Sequence, residues 1–207
     1  WERKYSNFQN AGGKHEVVSG EWRYAEIISC FNAFMDADAF AYNPMANASF
    51  FQHYPLKTEY KQNLPTPDDL KQKGYIDKDG KVISKVFVSI YMGDYDSAAW
   101  MYNTLPGIWN DPARGTIPLS WGFNPNLAER FAPGMEFTRD TKSANDIFVA
   151  GDCGSGYVNP GYLVEPRKWS GLPSGLQTWT EHCERWYKQW GLTATGFIID
   201  GNAPPLN

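Results

Sequence analysis

Asn145-Asp146-Ile147-Phe148-Val149-Ala150-Gly151-Asp152-Cys153-Gly154-Ser155-Gly156-Tyr157-Val158-Asn159-Pro160 is the stretch on which the reading of this chain turns. A short apolar run ends abruptly in three glycines, an acid, a thiol, a tyrosine and a proline. Ile147 to Ala150 is too short for a helix and is bounded by turn residues, so it predicts a buried strand. Gly151, Gly154 and Gly156 let the backbone turn sharply or approach another group closely. Two readings fit the segment alone: a tight loop closing a core strand, or a strand end that holds functional side chains at an opening.

Working outward, the same punctuation recurs. Val86 to Tyr91 predicts a strand, followed by Gly93-Asp94-Tyr95-Asp96-Ser97 and a helix from Ser97 to Leu105 that Pro106 stops. Thr116 to Gly122 predicts another strand, then Asn124-Pro125 and a short helix from Leu127 to Phe131. Thr178-Trp179-Thr180-Glu181 has the form of a capping box. The helix it opens carries Trp179, Cys183, Trp186, Tyr187 and Trp190 on one face and ends at Gly191. Ala194 to Ile199 predicts a last strand.

Upstream, Glu26 to Phe34 is ambiguous between helix and strand, and Ala48 to His53 reads as a short strand. Thr66 is an N-cap ahead of Pro67, with Asp68 and Asp69 in the first turn and Gly74 beyond the end. Asp77-Lys78-Asp79-Gly80 signals a hairpin turn between Tyr75-Ile76 and Val82-Ile83.

From residue 86 onward, strands and helices alternate, which argues for parallel strands with crossover helices. The fold expected is a single α/β domain over residues 1–207, TIM-barrel-like. A closed barrel of this kind usually takes about 250 residues. Six or seven strands are countable here, so an incomplete or compact barrel is expected.

Composition narrows the function. A net charge of −4 without a run of Lys or Arg argues against nucleic-acid binding through phosphates. No apolar run is long enough to span a bilayer. The chain starts at Trp1, which reads as a processed product or a fragment. Aromatic residues make up 16%, with nine Trp; such rings fill cores and also offer flat platforms to sugar rings. Cys30, Cys153 and Cys183 fit no metal spacing. Asn47-Ala48-Ser49 is a glycosylation sequon.

In parallel α/β folds, ligands sit beyond the C-terminal ends of the strands. That rule selects Asp94 and Asp96 after the first clear strand, Trp121 and Asn124 at the second, Asp152 and Tyr157 at the third, and Asp200 at the last. Convergent carboxylates with aromatic walls suit glycoside hydrolysis, in which one acid protonates the leaving oxygen and another acts as base or nucleophile. Trp100, Trp121 and Tyr157 are candidate sugar-contacting rings, and core packing is the competing role for Trp100. Asp94 and Asp96 could also hold Ca²⁺ or Mg²⁺ through oxygen ligands; no other cofactor is expected. His182, beside Glu181, reads as a surface residue. A rival reading makes Cys153 the nucleophile of a chymotrypsin-like cysteine protease, with His53 as base and Asp94 or Asp96 as orienter.

Gly154-Ser155-Gly156-Tyr157-Val158-Asn159-Pro160 resembles the signature of the GxGYxYP family of glycoside hydrolases. Val86 to Trp100, Arg114 to Trp121, Pro125, Ala132-Pro133 and Asn145 to Val149 also resemble it, covering residues 85–165 best and 14–55 more weakly. The resemblance implies a barrel-like α/β domain that processes carbohydrate, and with it a secreted or extracellular setting. Asn159 stands where the signature has its second tyrosine, and Tyr95 and Ser97 replace the glycine and asparagine of the acidic loop. These departures make a non-catalytic carbohydrate-binding or structural role the alternative. The shortness of the chain adds the expectation that other chains or domains complete the fold.

Overall fold

A computed structural model of the chain describes residues 2–5, 25–36, 50, 53–56, 59–95 and 97–196, without the side chains of residues 2–5, 35, 36 and 94. Two parallel sheets are present among them. One pairs β1 (Glu2–Tyr5) with β2 (Ala33–Asp36). Residues 25–29 are helical, so the ambiguous Glu26 to Phe34 segment divides into a helical turn and a strand. The expected strand from Ala48 to His53 falls largely outside the described residues.

The second sheet carries the architecture. Its strands are β3 (Tyr91–Tyr95), β4 (Leu119–Phe123) and β5 (Asp146–Ala150), parallel and in consecutive order. Ala150 bridges onward to Thr195, again in parallel. Such consecutive parallel strands need crossovers. They are supplied by α2 (Ala98–Asn103) with α3 (Leu105–Trp109), then α4 (Leu127–Arg130) with α5 (Ala132–Asp140), then α6 (Leu176–Trp190). Before the sheet, α1 (Pro67–Gln72) has the cap expected of it, with Thr66 accepting from the Asp69 N–H and Asp69 accepting from the Thr66 N–H.

Pleating decides what packs where. Trp121 and Phe123 of β4, and Phe148 and Ala150 of β5, face the helix layer. They join Met101, Leu105, Trp109, Met135, Trp186 and Trp190 in the main core. Trp109 meets Trp121 at 4.9 Å, and Trp121 stacks with Phe123 at 6.4 Å. The opposite face is open among the described residues. There Ile147 is 41% exposed, so β5 is buried on one face and not on both as its apolar run suggests. Tyr91 lies across this open face, its ring against the places where Gly93, Gly122 and Gly196 would carry a Cβ.

Three boundaries differ from the sequence reading. The strand expected over Val86 to Tyr91 instead runs from Tyr91 to Tyr95, which puts Asp94 inside the strand. Tyr91 pairs with Ser120, whereas Val86 and Val88 stand exposed, and tertiary pairing overrides the β-propensity of the earlier run. Pro106 opens α3 as well as ending α2, because proline suits a first helical turn. α6 begins at Leu176 with no side-chain cap, so Thr178-Trp179-Thr180-Glu181 is not its capping box. Thr178 and Glu181 lie within the helix, where Glu181 accepts from Gln177 one turn back. Its other end matches the expectation: Gly191 adopts φ 61° as a left-handed cap.

Where β5 outruns its neighbour, a side chain completes the ladder. The Gln62 amide accepts from the Phe148 N–H and donates to the Phe148 carbonyl, each at 2.7 Å, and donates to the Gly191 carbonyl at 2.9 Å. It stands where the next strand's backbone would pair, so both Phe148 groups are satisfied.

Candidate functional site

The C-terminal ends of β3, β4 and β5 converge through backbone bonds. The Asn124 N–H donates to the Tyr95 carbonyl at 3.0 Å, and the Gly151 N–H to the Phe123 carbonyl at 2.8 Å. Gly151 fits closely at that step: a Cβ would lie 3.2 Å from the Gly122 carbonyl oxygen, so a larger residue would press on the β4 backbone. β5 then enters a 3₁₀ turn, Asp152–Gly154, with Asp152 and Cys153 at φ 46° and 54°. Non-glycine residues are uncommon in this left-handed region, and Asp is among those that tolerate it best. The Asp152 carbonyl accepts from the N–H groups of Ser155 and Gly156, which closes the loop.

Gly154 (φ 74°) and Gly156 (φ 114°) also take positive φ, on either side of Ser155 at φ −146°. A Cβ on Gly154 would sit 2.6 Å from the Tyr187 hydroxyl and 3.2 Å from the Cys183 sulfur. The loop is thus pressed against α6. Trp179 Nε1 donates to the Cys153 carbonyl at 3.1 Å, and Cys183 Sγ approaches the same oxygen at 3.7 Å. Burial pushes the Cys183 thiol up to about 12, so it is protonated at neutral pH.

Polar side chains gather around this loop although the surroundings are buried. Asn124, Asn126, Asp152, Ser155 and Asn159 are all buried. Asn124 Oδ1 accepts from the Asn126 N–H at 3.0 Å, the Asn126 amide donates to the Ser155 carbonyl, and His182 Nε2 lies 3.4 Å from Asn126 Oδ1. Burying such groups is tolerable only when they are hydrogen-bonded. Asn126 and His182 were not among the sequence-selected residues. His182 is half-buried against Asn126 and Phe34, which corrects its reading as a surface residue. Its partner is 56 residues away, so nothing local signals the contact.

The selected residues are distributed unevenly. Asp152, Tyr157 and Asn159 share the glycine-rich loop, and Asn124 adjoins it through Asn126. Tyr157 is half-buried and packs on two small apolar clusters around Phe34 and Ile28. Asn159 is fully buried, and its Oδ1 accepts from the Gly161 N–H at 3.2 Å to cap the 3₁₀ turn Pro160–Leu163. An amide side chain can cap such a turn where a tyrosine could not. Trp121 is fully buried on the helix side of the sheet, and its Nε1 donates to Asp146 at 2.8 Å. Trp100 is 43% exposed on α2, so it is not the core-packing residue of the competing reading. Asp96, Asp200 and the Asp94 side chain lie outside the description. No group of three or more potential metal ligands occurs among the described residues, which do not include Asp96 or the Asp94 side chain.

The thiol-protease reading fails on this geometry. Cys153 is fully buried, and the sheet is parallel with helical crossovers rather than an all-β assembly. Two clefts occur elsewhere among the described residues. One of about 380 Å³ lies between residues 59–64 and the end of α6, and one of about 200 Å³ lies between α2–α3 and α5. None of the selected acids lines either. No helix among the described residues is long and apolar enough to cross a membrane.

Comparison with known proteins agrees with this arrangement. Residues 84–207 match the model of the GxGYxYP putative glycoside hydrolase C-terminal domain. The fold is similar to the crystal structure of a putative hydrolase from Bacteroides thetaiotaomicron, with a TM-score of 0.64 and 18% identity. The match covers 92% of this chain and 31% of that one, so the chain spans about a third of its structural neighbour. No curated protein matches.

Proposed function

Because the chain belongs to the GxGYxYP putative glycoside hydrolase C-terminal domain family, we propose that it hydrolyses a glycosidic bond at the C-terminal ends of its parallel strands. The observation that carries this reading is the course of β5, which ends in the signature loop with Asp152 at its head. Asp94, Asp96, Asp152 and Asp200 are the proposed acids. One protonates the leaving oxygen while another activates water or attacks the sugar. Tyr157 and Trp100 supply rings, and the buried Asn124 and Asn159 hold the loop from beneath. Trp121 supports the site from the core.

A TIM-like barrel wall is the proposed setting. Consecutive strand order, helices on one face of the sheet and an open opposite face support it. Further polypeptide completing that wall, and a secreted or extracellular location, go with the same reading. A Ca²⁺ or Mg²⁺ ion at Asp94 and Asp96 would order the strand end without taking part in proton transfer.

The test is release of reducing ends from a glycan panel. Asp94→Asn and Asp96→Asn should each abolish it, and retention of full activity in both variants would reject the catalytic assignment. One observation favours a second reading, a carbohydrate-binding domain without turnover: Asn159 caps a turn where the signature has tyrosine. A glycan array that captures ligand with no product formed would decide for it.

A further inference from the structure

Three consecutive residues of the signature loop are held by a segment outside the matched domain. Residues 25–34 precede the region 84–207 that the family model covers. Ser29, fully buried on the helical turn 25–29, donates its hydroxyl hydrogen to the Ala25 carbonyl at 2.5 Å. A hydroxyl has one hydrogen, so its oxygen is left to accept, and it takes the Asn159 N–H at 2.8 Å from 130 positions along the chain. Beside that bond, Tyr157 packs on Ile28 and Ala33, and Val158 shares a buried cluster with Phe34.

The turn that carries Ser29 is tied down at its other end. Arg167, 6% exposed, donates through Nη1 to the Cys30 carbonyl at 2.8 Å and through Nη2 to Asn32 Oδ1 at 2.6 Å. Ser170 Oγ donates to the same Cys30 carbonyl. A cation at the last carbonyls of a helical turn offsets their partial negative charge. Gly175 leaves room for the pair, since a Cβ there would run into Arg167 Nη2 and Asn32 Oδ1. Ser29 therefore cannot shift without disturbing buried hydrogen bonds.

We propose that Ser29 is a positioning residue of the strand-end site, acting through Asn159 to set the path of the signature loop and the place of the Tyr157 ring. The proposal rests on reading the strand ends as the glycan site. The functional unit then extends upstream of the matched domain, to residues 25–34.

The first measurement uses the free, full-length protein. Ser29→Ala removes the acceptor, and Ser29→Thr keeps it. In Ser29→Ala the Asn159 amide resonance should move, and amide exchange over Tyr157 to Asn159 should speed by about tenfold or more, with exchange in β4 and β5 unchanged. Ser29→Thr should restore both. If Ser29→Ala does not fold, Ser29→Cys, whose sulfur is a weak acceptor, is read in its place. The second measurement is reducing-end release, where kcat/KM should fall about tenfold in Ser29→Ala and recover in Ser29→Thr. An unmoved Asn159 resonance, faster exchange spread evenly through β4 and β5, no recovery in Ser29→Thr, or a loosened loop with kcat/KM unchanged would each overturn the proposal. Absence of reducing-end release from the unmodified protein rejects the glycosidase reading instead, and the exchange measurement then decides the Ser29 contact.

Discussion

The two ends of β5 carry a carboxylate each, and the protein treats them in opposite ways. Asp146, at the N-terminal end, is fully enclosed by donors. It receives Trp121 Nε1 at 2.8 Å, the Ser143 N–H at 2.7 Å and the guanidinium of Arg114. Arg114 in turn lies 4.1 Å over the Trp109 ring and binds the Trp109 carbonyl at 2.6 Å. Burial alone would raise the Asp146 pKa. The Ser143 and Trp121 donors, with the charge of Arg114, outweigh it and hold the carboxyl below its usual range. Asp152, at the other end, sits in a left-handed turn among glycines, beside a loop that gathers asparagines and a histidine. One acid is spent on holding the strand in place, while the other heads the loop that carries the family signature. Strand N-termini in such folds serve stability and strand C-termini serve chemistry.

Substitution of each acid by its amide should separate the two roles most sharply. Asp152→Asn should lower glycan hydrolysis by about 10²-fold or more and leave thermal stability nearly unchanged, because Asn also tolerates the left-handed turn. Loss of folding with retained specific activity would reverse the assignment. Asp146→Asn should do the opposite, costing about 3 kcal/mol by urea titration because Arg114 loses its buried partner, with specific activity of the folded fraction kept.

A backbone change at the C-terminal end should cost less. Gly154→Ala should destabilise by about 1–3 kcal/mol, through φ strain and contact with Tyr187. A calorimetric shift within error would show that the loop yields at this point. The pH dependence sharpens the same comparison. The folded pKa of Asp146 is depressed below 3.8, so its contribution is complete above that value and is lost as pH falls through the folded pKa. Acid titration of stability should therefore lose a component below about pH 4 in the unmodified protein, and Asp146→Asn should lack it. Smallest of all, Thr66→Ala at the α1 cap should cost about 1 kcal/mol and leave both ends of β5 untouched.

The elements that local rules govern were legible in the residues. Ile147 to Ala150 is a strand because a short apolar run bounded by turn residues has few alternatives. Thr66 with Pro67 and Asp69 starts a helix, and Gly191 ends one, because those residues satisfy exposed backbone groups within one turn. The alternation of such elements led to a parallel sheet. Local rules misled where a tertiary partner outweighed them. Val86 to Ile90 has the composition of a strand, yet the pairing with β4 begins at Tyr91. Thr178 and Glu181 have capping-box spacing, yet α6 starts three residues earlier and absorbs both.

The candidate site divides in the same way. The glycines of the signature loop announced a sharp turn or a close approach of the backbone, and the chain order placed Asp152 and Tyr157 at a strand end. What the sequence by itself determined is thus the strand, the turn that follows it and the side chains they present, because these depend on neighbours within a few residues. Only the tertiary structure decided that Trp121 belongs to the core, that Asn159 caps a turn and that Asp146 is enclosed by Arg114. It also decided that His182 meets Asn126. Each of those outcomes depends on which groups are brought close from distant parts of the chain, and burial raises the cost of leaving a donor or charge unmatched.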